Sequence, residues 1–316
     1  MTKFCIKSLI IGAILIVIGT VMLSVGVFSG IFSGLSSLPI GNHAVSGEYA
    51  VTTMTVTGFT ETGAPIQVFD DVTYTSYGYS SELDVSPEEV QELDISISTG
   101  SFYIVPGDSF ILYADGIAAD YLKFGVNNGC LEVNYSPNFK LSELDYWLSA
   151  SPEIMLYVPF KTYEKVSINM SAGTANINEI TTNDFVFDMS AGDAYLGNVI
   201  AYNSSDIKMS AGNTIFTDCV FTNSNSIKVS AGEMVFENCS LTGKNYMKVT
   251  AGDLQMYLNE NSAYYDISAN KSTGTLYIND EEVNNSYSAT STLEYPLGTM
   301  NVDVRAGSCY ITFDED

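Results

Sequence analysis

The chain has 316 residues, 37 acidic against 12 basic, for a formal charge of −25 with 46% hydrophobic residues. That balance disfavours nucleic acid and anionic lipid as partners, because phosphate recognition needs clustered Lys and Arg. His43 and Arg305 are the single His and Arg of the sequence, so a Ser-His-Asp triad or a His-based metal site would rest on His43 alone.

In chain order, the first element is an uncharged apolar run, "LIIGAILIVIGTVMLSVGVF" at 9–28, long enough to cross a bilayer as one α-helix. Lys3 and Lys7 precede it and the next basic residue is Lys123, which places the N-terminus in the cytoplasm and the bulk of the chain outside. A cleaved signal peptide is the rival. Its apolar core would be shorter and would end in an A-x-A-like site, so an uncleaved single-pass anchor over 1–32 is expected. Residues 33–89 read as a linker and membrane-proximal region, Gly/Ser-rich at first and then carrying Thr/Tyr/Val runs. From residue 33 onward the chain has 10 basic and 37 acidic residues, about −27.

Residues 90–316 carry an internal repeat. Gly173, Gly192, Gly212, Gly232 and Gly252 close small-residue turns at spacings of 19, 20, 20 and 20. The same grammar recurs at Gly274 and Gly307 and once upstream at Gly100. Five residues before each Gly stand Ile95, Ile168, Phe187, Ile207, Ile227, Met247, Ala269 and Val302. The columns three before and four after are also apolar, except at Lys271. Period two on both sides of a Gly reads as strand, turn, strand. The Gly sits where φ is positive or where another backbone comes close. A coil of about 20 residues cannot bury its apolar side alone and does so by stacking on copies of itself. The predicted fold is an all-β parallel β-solenoid, its eight coils spanning about 40 Å at the strand spacing of a sheet. Between Gly100 and Gly173, "YLKFGVNNGCLEVNYSP" (121–137) reads as a hairpin turning at Asn127-Asn128-Gly129. "PEIMLYVPFKTYEKVSINMSAG" (152–173) reads as a strand, a Pro-marked turn and the first close-spaced coil, with an insertion around Trp147.

The run "IMLYVPFKTYEKVSINMSAGTANI" followed by "MSAGDAYLGNV" resembles the putative-adhesin β-strand-repeat family of bacterial envelope proteins, a domain of unknown function. In that family a strand ending in "VP" leads into "apolar-x-apolar-S-x-G-x-apolar-x-apolar" coils, and the resemblance covers roughly residues 90–313. It implies one N-terminal membrane helix and an outside repeat domain, and for some members a place in envelope-stress operons. It implies no catalytic residues.

Several repeated positions carry polar chemistry. Lys208, Lys228 and Lys248 stand four before their Gly and face outward by parity, a ladder that could meet an anionic wall polymer or be a solvated face neutralised by carboxylates. Asp193, Glu233 and Asp253 follow their Gly directly, with Asn213 between them. They could gather Ca²⁺ or be turn residues; no Dx[DN]xDG loop is present, so no metal or cofactor is expected. Of the five Cys, Cys219 and Cys239 occupy one repeat position that Ile180 and Val199 fill in earlier coils, a small apolar slot in which they would stack as free thiols or, outside the cell, form a disulfide. A glycan-active solenoid enzyme would need a paired-carboxylate groove, and no pair is singled out. The expectation is a non-enzymatic, membrane-anchored, extracytoplasmic module with adhesin-like or cell-envelope interactions. Its candidate partners are a cell-wall polymer, a surface glycan or a membrane signalling protein. An accessory of an envelope-stress system and a glycan-active enzyme are the alternatives.

Overall fold

The computed structural model describes residues 79–117, 121–137 and 152–314, with four short strand fragments upstream. The chain divides into two units. The first, residues 1–38, 47–78 and 139–151, is described only at the antiparallel pairs Ala50–Val51 with Tyr74–Thr75 and Thr57–Phe59 with Pro65–Gln67. The expected membrane helix at 9–28 and the insertion around Trp147 lie outside the described residues. Among the described residues no helix is long and apolar enough to cross a membrane.

The second unit is a stack of parallel β-coils. One sheet runs Cys130–Tyr135, Glu92–Ile97, Thr162–Met170, Thr181–Met189, Ile200–Met209, Ser224–Val229, Gly243–Val249, Gly298–Val304, Tyr265–Lys271, every neighbour parallel. The facing sheet runs Glu153–Pro159, Ser101–Gly107, Thr174–Asn178, Asp193–Gly197, Asn213–Thr217, Glu233–Leu241, Asp253–Leu258, Ser308–Phe313, Thr275–Ile278. The middle coils have a short third side at Ile200–Ala201, Val220–Phe221 and Ser240–Leu241.

The order of coils in space departs from the order in sequence at both ends. The Gly100 coil lies between the 130–159 coil and the Gly173 coil. The Gly307 coil, last in the chain, lies between the Gly252 and Gly274 coils. Each end finishes in antiparallel strands. Leu122–Asn127 and Ile111–Asp115 close one end, the latter flanked by Tyr79–Glu82; Ser286–Ala289 and Glu281–Glu282 close the other. Capping strands of this kind keep a bare parallel edge from templating another chain. The hairpin at 121–137 forms as expected: Asn128 (φ 49) and Gly129 (φ 79) make a two-residue turn with both residues left-handed.

Two corners repeat along the stack. At the Gly corner each glycine lies against the carbonyl one rung away, that of Pro152 for Gly100 and that of another glycine for the rest: a Cβ at Gly212 would sit 1.8 Å from the Gly192 oxygen. At the opposite corner Glu179, Asn198, Asp218 and Asn238 adopt φ of 57, 54, 55 and 54, the left-handed region in which Asn and Asp are favoured over other side chains. Between the sheets every in-facing column position is buried except Lys271. Phe216 and Phe236 stack at 4.6 Å on adjacent rungs, with Phe187, Phe221 and Phe185 packed around them. Each such side chain contributes roughly 1.5–3 kcal/mol through burial.

Candidate functional site

Parallel pairing in register turns each outward position of the repeat into a continuous row. On the first sheet the row four before the Gly runs Asp188, Lys208, Lys228, Lys248, Asp303. The lysine ladder is therefore present and bracketed by carboxylates. Asp206, two residues before Lys208 on the same strand face, meets Lys208 Nζ at 2.5 Å and Lys228 Nζ at 3.7 Å. The hydrogen bond from Lys208 to Asp206 pushes the ammonium's pKa up, with the charges of Asp206 and Asp188 adding to it. Partial burial raises the Asp206 carboxyl, but the two lysines outweigh it and hold the group below its ordinary value. Arg305 lies 3.6 Å from Asp303 on the same face.

On the second sheet the row directly after the Gly reads Glu153, Ser101, Thr174, Asp193, Asn213, Glu233, Asp253. Asn213 Nδ2 donates to Asp193 Oδ1 at 2.9 Å, and Gln255 Nε2 donates to Glu233 Oε1 at 2.6 Å. An amide thus sits beside each of these two carboxylates, the arrangement of a hydrogen-bonding rim. Among the described residues no group of three His, Cys, Asp or Glu is placed to hold a metal ion.

The adjoining row, three after the Gly, was not singled out from sequence. It runs Tyr113, Met155, Tyr103, Asn176, Tyr195, then Ile215, Val235, Gln255, Tyr310, Tyr277. Tyr113, Tyr195 and Tyr310 are 46%, 50% and 40% exposed. Tyr113 packs edge-on to Tyr157, and Tyr277 stacks on Tyr310 at 5.3 Å with the rings 5° apart. An aromatic and aliphatic stripe therefore runs along the second sheet beside the carboxylate row. Its signal in the sequence was the odd-numbered offset from the glycine: the residue between two buried positions is apolar or Tyr in most coils, against the rule that outward positions are polar.

Two further ladders are internal. Ser205 Oγ donates to Asn225 Oδ1 at 2.9 Å, and Asn225 Nδ2 donates to Asn245 Oδ1 at 2.7 Å and to the Thr242 carbonyl at 3.2 Å. All three side chains are buried. This ladder satisfies carbonyls at the corner where the third side begins, and Asn at a fixed seven residues before Gly232 and Gly252 was its trace in the sequence. Cys219 and Cys239 stack in the slot after Ile180 and Val199, both free thiols and both wholly buried. A hydrogen bond with Cys219, together with burial, pushes the Cys239 thiol far up, and burial alone pushes Cys309 up to about 12. Neither thiol has the thiolate character that reactivity requires.

Solved structures of similar layout include three bacterial proteins. A putative cell adhesion protein from Clostridium sporogenes is 14% identical, with a TM-score of 0.36, over 76% of this chain and 100% of that one. A putative lipid binding protein from Parabacteroides distasonis is 13% identical, with a TM-score of 0.39, over 75% and 97%. A putative adhesin from Bacteroides fragilis is 9% identical, with a TM-score of 0.32, over 74% and 96%. Among curated proteins nothing matches the chain. The Toastrack DUF4097 model matches residues 82–304, and over that span the glycine ladder and its flanking columns form the coils just described. By that match, which covers most of its length, the chain belongs to the Toastrack DUF4097 family.

Proposed function

We propose that the chain is a membrane-anchored, extracytoplasmic interaction module of the cell envelope that performs no chemistry of its own. The observation that carries this reading is the in-register stacking, which spreads the outward side chains into long rows on two sheets. Long rows suit contact with an extended partner, whereas ligand turnover needs groups converging in a concavity. The uncharged run at 9–28 after Lys3 and Lys7 supports the anchor and its orientation. The lysine ladder is the weaker contact face, because Asp188, Asp206 and Asp303 lie beside it.

Two measurements on the full-length chain test the reading. A reporter enzyme active only outside the cytoplasm, fused after Asp316, is expected to be active. The detergent-solubilised chain is expected to sediment with purified cell walls. An inactive reporter, or sedimentation no greater than without walls, overturns it.

A further inference from the structure

Resting on that reading, we infer that the tyrosine stripe of the second sheet is a binding platform for an uncharged, extended glycan. Tyr113, Tyr103 and Tyr195 occupy every second rung of one outward row, a repeat of about 10 Å at the strand spacing of a sheet. Tyr310 and Tyr277 continue it at the far end. Strands paired in register hold these rings along one face of the second sheet. Aromatic rings present a large apolar surface at low conformational cost, with a hydroxyl at the edge. The C–H face of a pyranose ring is the complementary surface, and a β-linked hexose chain lies flat and returns the same face every second sugar. The row directly beside the stripe supplies hydrogen-bonding partners for sugar hydroxyls, with Asp193 and Asn213 as one amide–carboxylate pair, and Glu233 of that row with Gln255 of the stripe itself forms another.

Charge selects among extended polymers. The carboxylate row alongside the rings, on a chain of net charge −25, repels phosphate- and carboxylate-bearing polymers. It also opposes self-association through this face, since two copies would bring like charges together. An uncharged polyol escapes both penalties. The lysine ladder lies on the other sheet and is not part of this platform.

The test uses the full-length chain in detergent, titrated with the hexamers of β-1,4-glucose and β-1,4-N-acetylglucosamine, with the α-1,4-glucose hexamer and a polyglycerol phosphate as comparators. Binding is expected for at least one β-linked hexamer and for neither comparator. The variant Tyr113→Thr, Tyr195→Thr, Tyr310→Thr keeps β-branched residues in the strands and removes three rings. It is expected to melt within a few degrees of the parent and to bind at least about tenfold more weakly, since three apolar ring faces are removed from the platform. Failure of the parent chain to bind either β-linked hexamer overturns the inference, as does undiminished binding by a folded triple variant. So does a parent dimer that the triple variant breaks into monomers. Should the triple variant melt far lower, Tyr195→Phe and Tyr310→Phe, which keep the ring, must bind as the parent does while Tyr195→Thr alone must bind more weakly. Wall sedimentation that survives in the triple variant would leave the interaction module standing and remove only this platform.

Discussion

Gly212 shows what holds one rung to the next. Its φ of 104 is left-handed, and the space a Cβ would take is filled by the Gly192 carbonyl oxygen at 1.8 Å and the Gly192 nitrogen at 2.8 Å. Two costs therefore add on substitution: backbone strain, and separation of two hydrogen-bonded rungs. Gly212→Ala is expected to destabilise by more than about 3 kcal/mol. Chemical denaturation of parent and variant measures it, and a loss under about 1 kcal/mol would show that the rungs can part cheaply. The glycine spacing was legible in the sequence because this contact admits no other residue. Lys271 was equally visible, as the one charge in an in-facing column, but its meaning was not. It belongs to the outermost parallel rung, under Val304 on one side, and its ammonium meets Glu282 at 3.1 Å on the other. A charge is tolerable there because no rung beyond it needs an apolar partner.

At the scale of elements, the sequence disclosed in-facing columns far better than outward ones. Burial favours apolar residues at the in-facing columns, so the eight copies agree there except at Lys271. An outward row tolerates Tyr, Ile, Asn or Gln alike, and the stripe from Tyr113 to Tyr277 emerges only when the rungs are laid in register. The antiparallel strand Ile111–Asp115 shows a local cost of the end arrangement: its Asp115 faces Glu153 directly across the pair. Burial first, and then the charge of Asp115, hold the Glu153 carboxyl above its ordinary value. The folded chain thus prefers protonated Glu153 more than the unfolded chain does. Its contribution to stability is present below the unfolded pKa of about 4.3 and is lost as pH rises through the raised folded value. Glu153→Gln is expected to raise the melting temperature at pH 7 by about 1–3 °C and to leave it unchanged below about pH 4, given the small energies of like-charge pairs on a sheet. Melting curves across that pH range decide it; an equal or lower melting temperature at pH 7 contradicts the pairing.

For the whole molecule, the exchange of coil order at both ends is the feature the sequence could not disclose. Every coil carries the same columns, so each is compatible with any other as a neighbour, and periodicity contains no information about which follows which. The consequence is that the C-terminal coil is interior to the stack. Gly298–Val304 and Ser308–Phe313 pair with the Gly252 coil on one side and with the Gly274 coil on the other. In a solenoid wound in chain order, deleting the last coil would remove one interface. Here deletion of residues 298–316 removes two and leaves Tyr265–Lys271 and Thr275–Ile278 without a parallel neighbour. Redocking one rung inward is opposed by Tyr265, whose hydroxyl donates to the Leu241 carbonyl at 2.9 Å, a hydrogen bond that a one-rung shift would break. Hydrogen exchange on the truncated chain is therefore expected to show loss of protection across 265–278, with 162–209 still protected because those coils keep both neighbours. Retained protection at 265–278 would mean that the outer coil had moved onto the Gly252 coil, and that the columns alone, not the side-chain contacts at Tyr265, decide which coil stacks on which.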